Sequence, residues 1–159
     1  MHKKVISLLL VCAAVICVAA GCGETSGAKA VSTDPKTLSS QIKSSAKFTD
    51  QLSEISLQAA DKRYGVDASQ VKSCDVYVGT GATAEEISVW QAKNEAAAAA
   101  IKEKADDFVK MQKDSYSDYK PSEVPKLSTA VLEQKGTVVV LCISADNQKA
   151  KELISGLLG

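Results

Sequence analysis

Residues 71–92 read VKSCDVYVGTGATAEEISVWQA, and the way this stretch divides decides the fold. Its first part alternates. Cys74, Val76 and Val78 would face one way and Asp75 and Tyr77 the other, which predicts a strand over Val71–Val78. Gly79-Thr80-Gly81 ends it. The second part reads as the opening of a helix. Thr83 and Glu86 have the spacing of a capping box, in which the hydroxyl meets a backbone N–H and the carboxylate reaches back. Glu85 and Glu86 would also sit where a helix dipole favours negative charge.

From Ala84 to Ser115 there is neither Pro nor Gly, so the expected helix is roughly 45 Å long. Ile87, Trp90, Ala97, Ala98, Ile101, Ala105 and Phe108, with Gln112 as a candidate continuation, recur at spacings that are mostly three and four, as a buried stripe requires. The other face carries Lys93, Glu95, Lys102, Glu103, Asp106 and Lys110, an ordinary solvated mixture. A core helix over a sheet is expected, in preference to a membrane-active one. Pro121 and Pro125 predict a loop over residues 116–130. Tyr116 and Tyr119 flank its start. They are a candidate contact surface, although tyrosines more often cover a core edge with the hydroxyl wet.

Beyond the loop, residues 130–133 and 136–144 are expected strands joined by a turn at Gln134-Lys135-Gly136. Val138–Ile143 is the most hydrophobic run and belongs near the sheet's centre. Asp146 can cap a final helix with Leu153, Ile154, Leu157 and Leu158 on its apolar side. Upstream, Asp34 and Pro35 open a helix over residues 35–46, and Gly65 closes another over residues 56–64. The joint between those two helices has no clear pattern. The expected order is α-α-β-α-β-β-α. This is an α+β single domain with a small antiparallel or mixed three-stranded sheet, one long helix and shorter helices.

The start of the chain is of another kind. His2, Lys3 and Lys4 form a basic segment, and Val5–Val18 is an apolar run of about 14 residues, too short to span a bilayer. Small residues then lead to Gly21-Cys22. This reads as a lipoprotein signal cut before Cys22, the expected lipidation site. Cys12 and Cys17 follow the bulky Val11 and Ile16, whereas Cys22 follows glycine. Ala19 departs from the leucine usual at that position. Two or more acyl chains hold a protein stably on a membrane where one does not. Residues 1–21 are thus expected as signal peptide, 22–33 as the lipidated cysteine and a flexible spacer, and 34–159 as the domain. The expected location is the extracytoplasmic face of the cell membrane.

The chain has 19 basic and 19 acidic side chains. Loss of residues 1–21 removes two lysines and the only histidine, leaving a slightly acidic remainder. A nucleic-acid binder would show a basic excess, so none is expected. No metal and no cofactor is expected either. After export no histidine remains, and Cys74 and Cys142 lack paired ligand spacing. The same two cysteines are a candidate disulfide, since both fall in expected strands and export permits one. Two buried free thiols is the plainer reading. Gly79-x-Gly81-x-x-Ala84 has the outline of a dinucleotide fingerprint, but Glu85 and Glu86 stand where a pyrophosphate would bind. As helix neighbours, those glutamates would point about 100° apart and could not face one substrate as an acid/base pair.

The runs VYVGTGATAEEISVWQA (76–92), YSDYKPSEVPKL (116–127) and LEQKGTVVVLCI (132–143) together resemble small bacterial lipoproteins carrying domain of unknown function 4358. The likeness spans about residues 35–150. It implies a lipid-anchored α+β domain and implies no activity, so Cys22 is the one functional residue it carries. Two readings follow. One is a non-catalytic interaction or ligand-binding module, tethered to the membrane through its lipid anchor and meeting an unknown envelope protein or small ligand. The other is a small carboxylate-based surface hydrolase acting on wall polymer or peptide.

Overall fold

The structure is a computed structural model and describes residues 34–159. The expected signal peptide, Cys22 and the spacer lie outside the described residues. Helix α1 is Pro35–Ser45, with Asp34 accepting the Thr37 N–H at 2.9 Å as expected. Strand β1 (Ser53–Ile55) and helix α2 (Leu57–Tyr64) follow. Gly65 closes α2 in the left-handed region, where a Cβ would be strained. After a 3-10 turn at Ala68–Gln70 come β2 (Val71–Val78) and β3 (Glu86–Ala92). Helix α3 is Glu95–Tyr119. A second 3-10 turn (Pro121–Glu123) and α4 (Val124–Ser128) lead to β4 (Val131–Lys135), β5 (Val138–Ile143) and α5 (Asn147–Leu158).

The α+β class and the long helix stand, but the three-stranded sheet is corrected. The sheet has five strands in the order β1-β2-β3-β5-β4, and every pairing is antiparallel. The decisive stretch is Glu86–Ala92, a strand rather than the first turns of a helix. The β-branched Ile87 and Val89 and the aromatic Trp90 favour a pleated surface. Both faces of this strand are covered, so its residues are buried without the alternation that would mark a half-exposed strand. The helix begins eleven residues later than Ala84, where Asn94 caps it by accepting the Ala97 N–H at 2.8 Å. The expected stripe from Ala97 to Phe108 is buried. Helix α3 then runs on through Tyr116 to Tyr119, and the two prolines start short helical turns instead of a loop. The missed β1 is a three-residue edge strand inside the uncertain joint.

Helices cover both faces. Val76, Trp90, Val139 and Leu141 pack with Ala98, Ile101, Ala105 and Phe108 of α3 and with Ala60 and Tyr64 of α2. Ile87, Val89, Val140 and Cys142 pack on the other face with Leu38 and Ile42 of α1 and with Ile154 and Leu158 of α5. Each such large side chain contributes roughly 1.5–3 kcal/mol when fully buried. Strand β5, buried at every position, lies inside the sheet between β3 and β4, as its composition predicts. It turns out of β4 through Gly136 at φ 54°.

Candidate functional site

The connection from β2 to β3, Gly79–Glu85, is fixed from every side. Asp50, in the segment after α1, accepts the Thr80 N–H at 3.0 Å and the hydroxyls of Thr80 at 3.0 Å and Thr83 at 2.9 Å. From α3, the Tyr116 hydroxyl donates to the carbonyls of Thr83 at 2.5 Å and Gly81 at 3.3 Å. Lys120 donates to the Ala82 carbonyl at 2.6 Å, and Glu123 accepts the Ala84 N–H at 3.1 Å. Both glycines are demanded by this geometry. A Cβ on Gly79 would lie 2.7 Å from the Asp50 carboxylate, and Gly81 adopts φ +90°. A strand follows the turn, so the dinucleotide outline is a hairpin.

Two glutamates anchor the end of this loop. Glu85 is 1 % exposed and has four donors: Thr49 N–H at 2.6 Å, Asp50 N–H at 2.9 Å, the Thr49 hydroxyl at 2.7 Å and Lys126 Nζ at 2.9 Å. Those fill the acceptor sites of a carboxylate. Burial pushes the Glu85 carboxyl up, but Lys126, the Asp50 N–H and Thr49 together hold it below its ordinary range. Lys126 lies between Glu85 and Glu123, the latter at 3.1 Å. Burial disfavours its charge, and the two carboxylates more than restore it, so its pKa is raised. Glu86 is 2 % exposed and accepts Arg63 Nε at 3.0 Å, Arg63 Nη2 at 2.7 Å and the Tyr64 hydroxyl. Burial, then the charge of Glu86, pushes the Tyr64 hydroxyl well above its usual pKa.

Between this loop, α2 and α3 lies a hollow of about 250 Å³, lined by Arg63, Thr80, Thr83, Gln112 and Tyr116 among others. Arg63 also lines an adjoining hollow of about 370 Å³ with Phe108 and Met111. A larger one, about 580 Å³, lies between β4 and the start of α5. Its buried amide, Asn147, is consumed by Ser144, Lys126 and Thr129. Among the described residues no three His, Cys, Asp or Glu side chains are placed to hold a metal ion.

The two tyrosines part company. Tyr116 is buried and its hydroxyl is bonded to the Thr83 and Gly81 carbonyls; Tyr119 is 73 % exposed, its ring 6.1 Å from that of Tyr116. The disulfide is corrected: Cys74 and Cys142 are free thiols. Strand β3 separates their strands, and they pack into the cores on opposite faces of the sheet. Burial first, then nearby carboxylates, pushes Cys74 up to about 11 and Cys142 up to about 12.

The sequence model described as "Domain of unknown function (DUF4358)" matches residues 44–144, more than half of the chain. The chain belongs to the DUF4358 family. No curated protein and no solved structure matches it. Asp50, Arg63, Glu85, Glu86, Tyr116, Glu123 and Lys126 all lie inside the matched DUF4358 segment, whereas α5 lies beyond it. Of these groups, Glu85 and Glu86 carry the sequence pattern of a helix start, but the structure pairs them with Lys126 and Arg63 at the start of a strand. Arg63, Asp50 and Lys126 carried no local signal, because their partners are 23, 33 and 41 residues away.

Proposed function

We propose that this protein is a membrane-tethered extracytoplasmic lipoprotein whose DUF4358 domain is a non-catalytic binding module. The tether is the acylated Cys22, supported by the basic, apolar and small-residue pattern that precedes it. Among the described residues no helix is long and apolar enough to cross a membrane. The binding face comprises the Gly79–Thr83 loop and the second half of α3.

One observation carries the binding reading: Tyr119 stands 73 % exposed with its ring 6.1 Å from that of Tyr116, whose hydroxyl, together with Asp50, Lys120 and Glu123, holds the Gly79–Glu85 loop in place. A preordered surface loses little entropy on binding, and an exposed tyrosine gives large contact area at low entropic cost. A carboxylate-based hydrolase needs a carboxyl free to exchange a proton with substrate. The buried glutamates at this site are occupied by structural donors, which favours binding over catalysis.

The test is a photoreactive residue placed at Tyr119, or at the exposed Lys36 of α1, in intact cells. A specific adduct from position 119 and none from position 36 is expected. Cys22→Ala should release the protein from the membrane fraction and abolish the adduct. Equal weak labelling from both positions would overturn the reading.

A further inference from the structure

The sheet ends at β4, and part of that strand's backbone is unused. In an antiparallel sheet successive residues send their N–H and C=O groups to opposite sides. The Ala92 N–H at the end of β3 bonds the Thr137 carbonyl at 2.8 Å, so Thr137 and every second residue after it point to β3. Val138, Val140 and Cys142 then point to β4, where their partners are Lys135, Glu133 and Val131. That leaves the N–H and C=O groups of Leu132 and Gln134 directed out of the sheet. No strand of the sheet lies beyond them, since β4 is last in the order. Such a row of groups is a template for one more extended chain. Space for its side chains lies on both faces. Beside α5 is the hollow of about 580 Å³, and beside α3 is one of about 440 Å³ lined by Ala99, Lys102, Leu132 and Gln134 among others. No residue of β5 lines either, so both lie along the outer side of β4.

Charge selects the chain that fits. The flanks carry both signs and favour neither an acidic nor a basic partner: Lys102, Glu103 and Asp106 on α3, the last held by Lys110 at 2.7 Å, and Asp146 and Lys151 beside α5. The strand itself is more specific. Glu133 and Lys135 are two residues apart on the α5 face, where Glu133 accepts the Ser155 hydroxyl and Lys135 donates to the Gly159 carbonyl, both at 2.8 Å. A second β4 running antiparallel, with Gln134 opposite the partner's Gln134, places Glu133 opposite the partner's Lys135 and Lys135 opposite the partner's Glu133. In that register the outward groups of Gln134 bond across the pair. Both ion pairs then fall at the positions without backbone bonds, where facing side chains are closest. Centring on Glu133 instead sets like charges face to face, and centring on Leu132 sets Glu133 against the buried Val131. Glu133-Gln134-Lys135 is thus complementary to itself in one register, and a two-fold pair built on it closes without leaving a free β4 edge.

We infer that β4 docks on the β4 of a second copy of this chain, two-fold and antiparallel, so that the sheet continues from one molecule into the next. This surface is separate from the Gly79–Thr83 loop, and the inference does not rest on the binding reading. The test is chemical crosslinking of the full chain in intact cells, with a cysteine placed at the two-fold by Gln134→Cys and a short bismaleimide as the probe. A crosslinked dimer above the background of the native cysteines is expected, and none from Lys36→Cys on α1. Adding Glu133→Lys or Lys135→Glu to Gln134→Cys sets like charges opposite each other and should cut the dimer yield roughly fivefold. Making both changes together recreates the opposite pairs and should restore the yield. Misfolding of a single variant would not be repaired by adding the second change, so the recovery reads the pairing itself. Absence of a dimer, a yield untouched by the single reversals, or no recovery in the double variant overturns the inference. So does an equal dimer yield from position 36, or a crosslink from position 134 to a different polypeptide in place of the dimer.

Discussion

Glu85 and Glu86 are neighbours in the chain, are both buried, and are held by different parts of the fold. Glu85 closes on Thr49, Asp50 and Lys126, and Glu86 closes on Arg63 and Tyr64. Consecutive residues entering a strand point to opposite sides. One dipeptide at the start of β3 therefore ties down the segment after α1, the short α4 and the end of α2. Burial of two adjacent charges is tolerated because each has a cation and further donors in place of water.

The Arg63–Glu86 pair should be asymmetric. Removing the arginine leaves a carboxylate that is 2 % exposed, whereas removing the carboxylate leaves a guanidinium side chain that is 36 % exposed and can be rehydrated. Arg63→Met is expected to cost about 3–5 kcal/mol, the range for stranding a buried charge. Glu86→Gln should cost about 1–3 kcal/mol, since the amide still accepts from Tyr64. Urea denaturation of the two variants measures both. Glu86→Gln proving the more damaging would contradict the electrostatic account.

Acid should loosen the loop. The ordinary carboxyl values are 4.5 for Glu85 and 3.8 for Asp50, and both groups are held lower in the fold. For each, burial acts upward and is outweighed by hydrogen bonds, from Lys126 and the Thr49–Asp50 segment on Glu85 and from Thr83 and Thr80 on Asp50. The unfolded chain therefore binds protons more readily. Their stabilisation is complete above the ordinary values and is lost as pH falls through the depressed folded ones. Asp61 acts in the opposite sense, raised by burial and by Asp67. The denaturation midpoint should hold from neutrality to about pH 5 and then fall. Glu85→Gln should flatten that fall. A wild-type midpoint that rises on acidification, or a variant with an unchanged acid limb, would count against Glu85 as a main acid-sensitive group.

Glycines 79 and 136 should respond differently to alanine. At Gly136 the backbone is left-handed at φ +54°, but a Cβ meets nothing within 4 Å. Alanine there should cost about 1–2 kcal/mol from backbone strain alone. At Gly79 the added atom would meet Asp50 Oδ2 at 2.7 Å and the Glu85 carbonyl at 3.0 Å. That displaces the clamp on Thr80, so hydrogen exchange at the Thr80 and Glu85 amides should accelerate in Gly79→Ala. Those amides should keep wild-type protection in Gly136→Ala. Equal protection in both variants would mean that Asp50 does not hold the loop.

Features set by neighbours in the chain are legible in this sequence, and those set by distant partners are not. Asp34, Pro35 and Gly65 act within a turn of their own positions, and the α1 start and α2 end lie where they indicate. The strand at Val71–Val78 and the inner β5 follow from composition and alternation. Strand β3 failed because burial on both faces erases alternation, and Ile87 and Trp90 then happen to match a helical spacing. Thr83 and Glu86 have the spacing of a cap, but their side chains go to Asp50 and Arg63. The site is a meeting of four segments; the loop residues Gly79, Gly81, Thr83, Glu85 and Glu86 stand out locally, whereas their partners Asp50, Arg63 and Lys126 do not. Of the two tyrosines, Tyr119 is exposed, while Tyr116 is buried and bonds the loop.

The two thiols should be inert in the folded protein. Thiolate is the reactive form, and burial holds Cys74 up at about 11 and Cys142 up at about 12. Cys74 is only half-buried, so iodoacetamide near pH 8 should modify it slowly, whereas Cys142 should react only on unfolding. Because no bond joins them, a reducing agent should leave the denaturation midpoint unchanged. Restoring a link would require crossing β3, since Cys74 lies opposite Trp90 and Cys142 opposite Ile87 on that strand. Mass spectrometry of the alkylated native protein reads both outcomes together. Rapid double labelling would show that the sheet opens far more readily than its burial implies, and a midpoint lowered by reductant would reveal a bond that this geometry forbids.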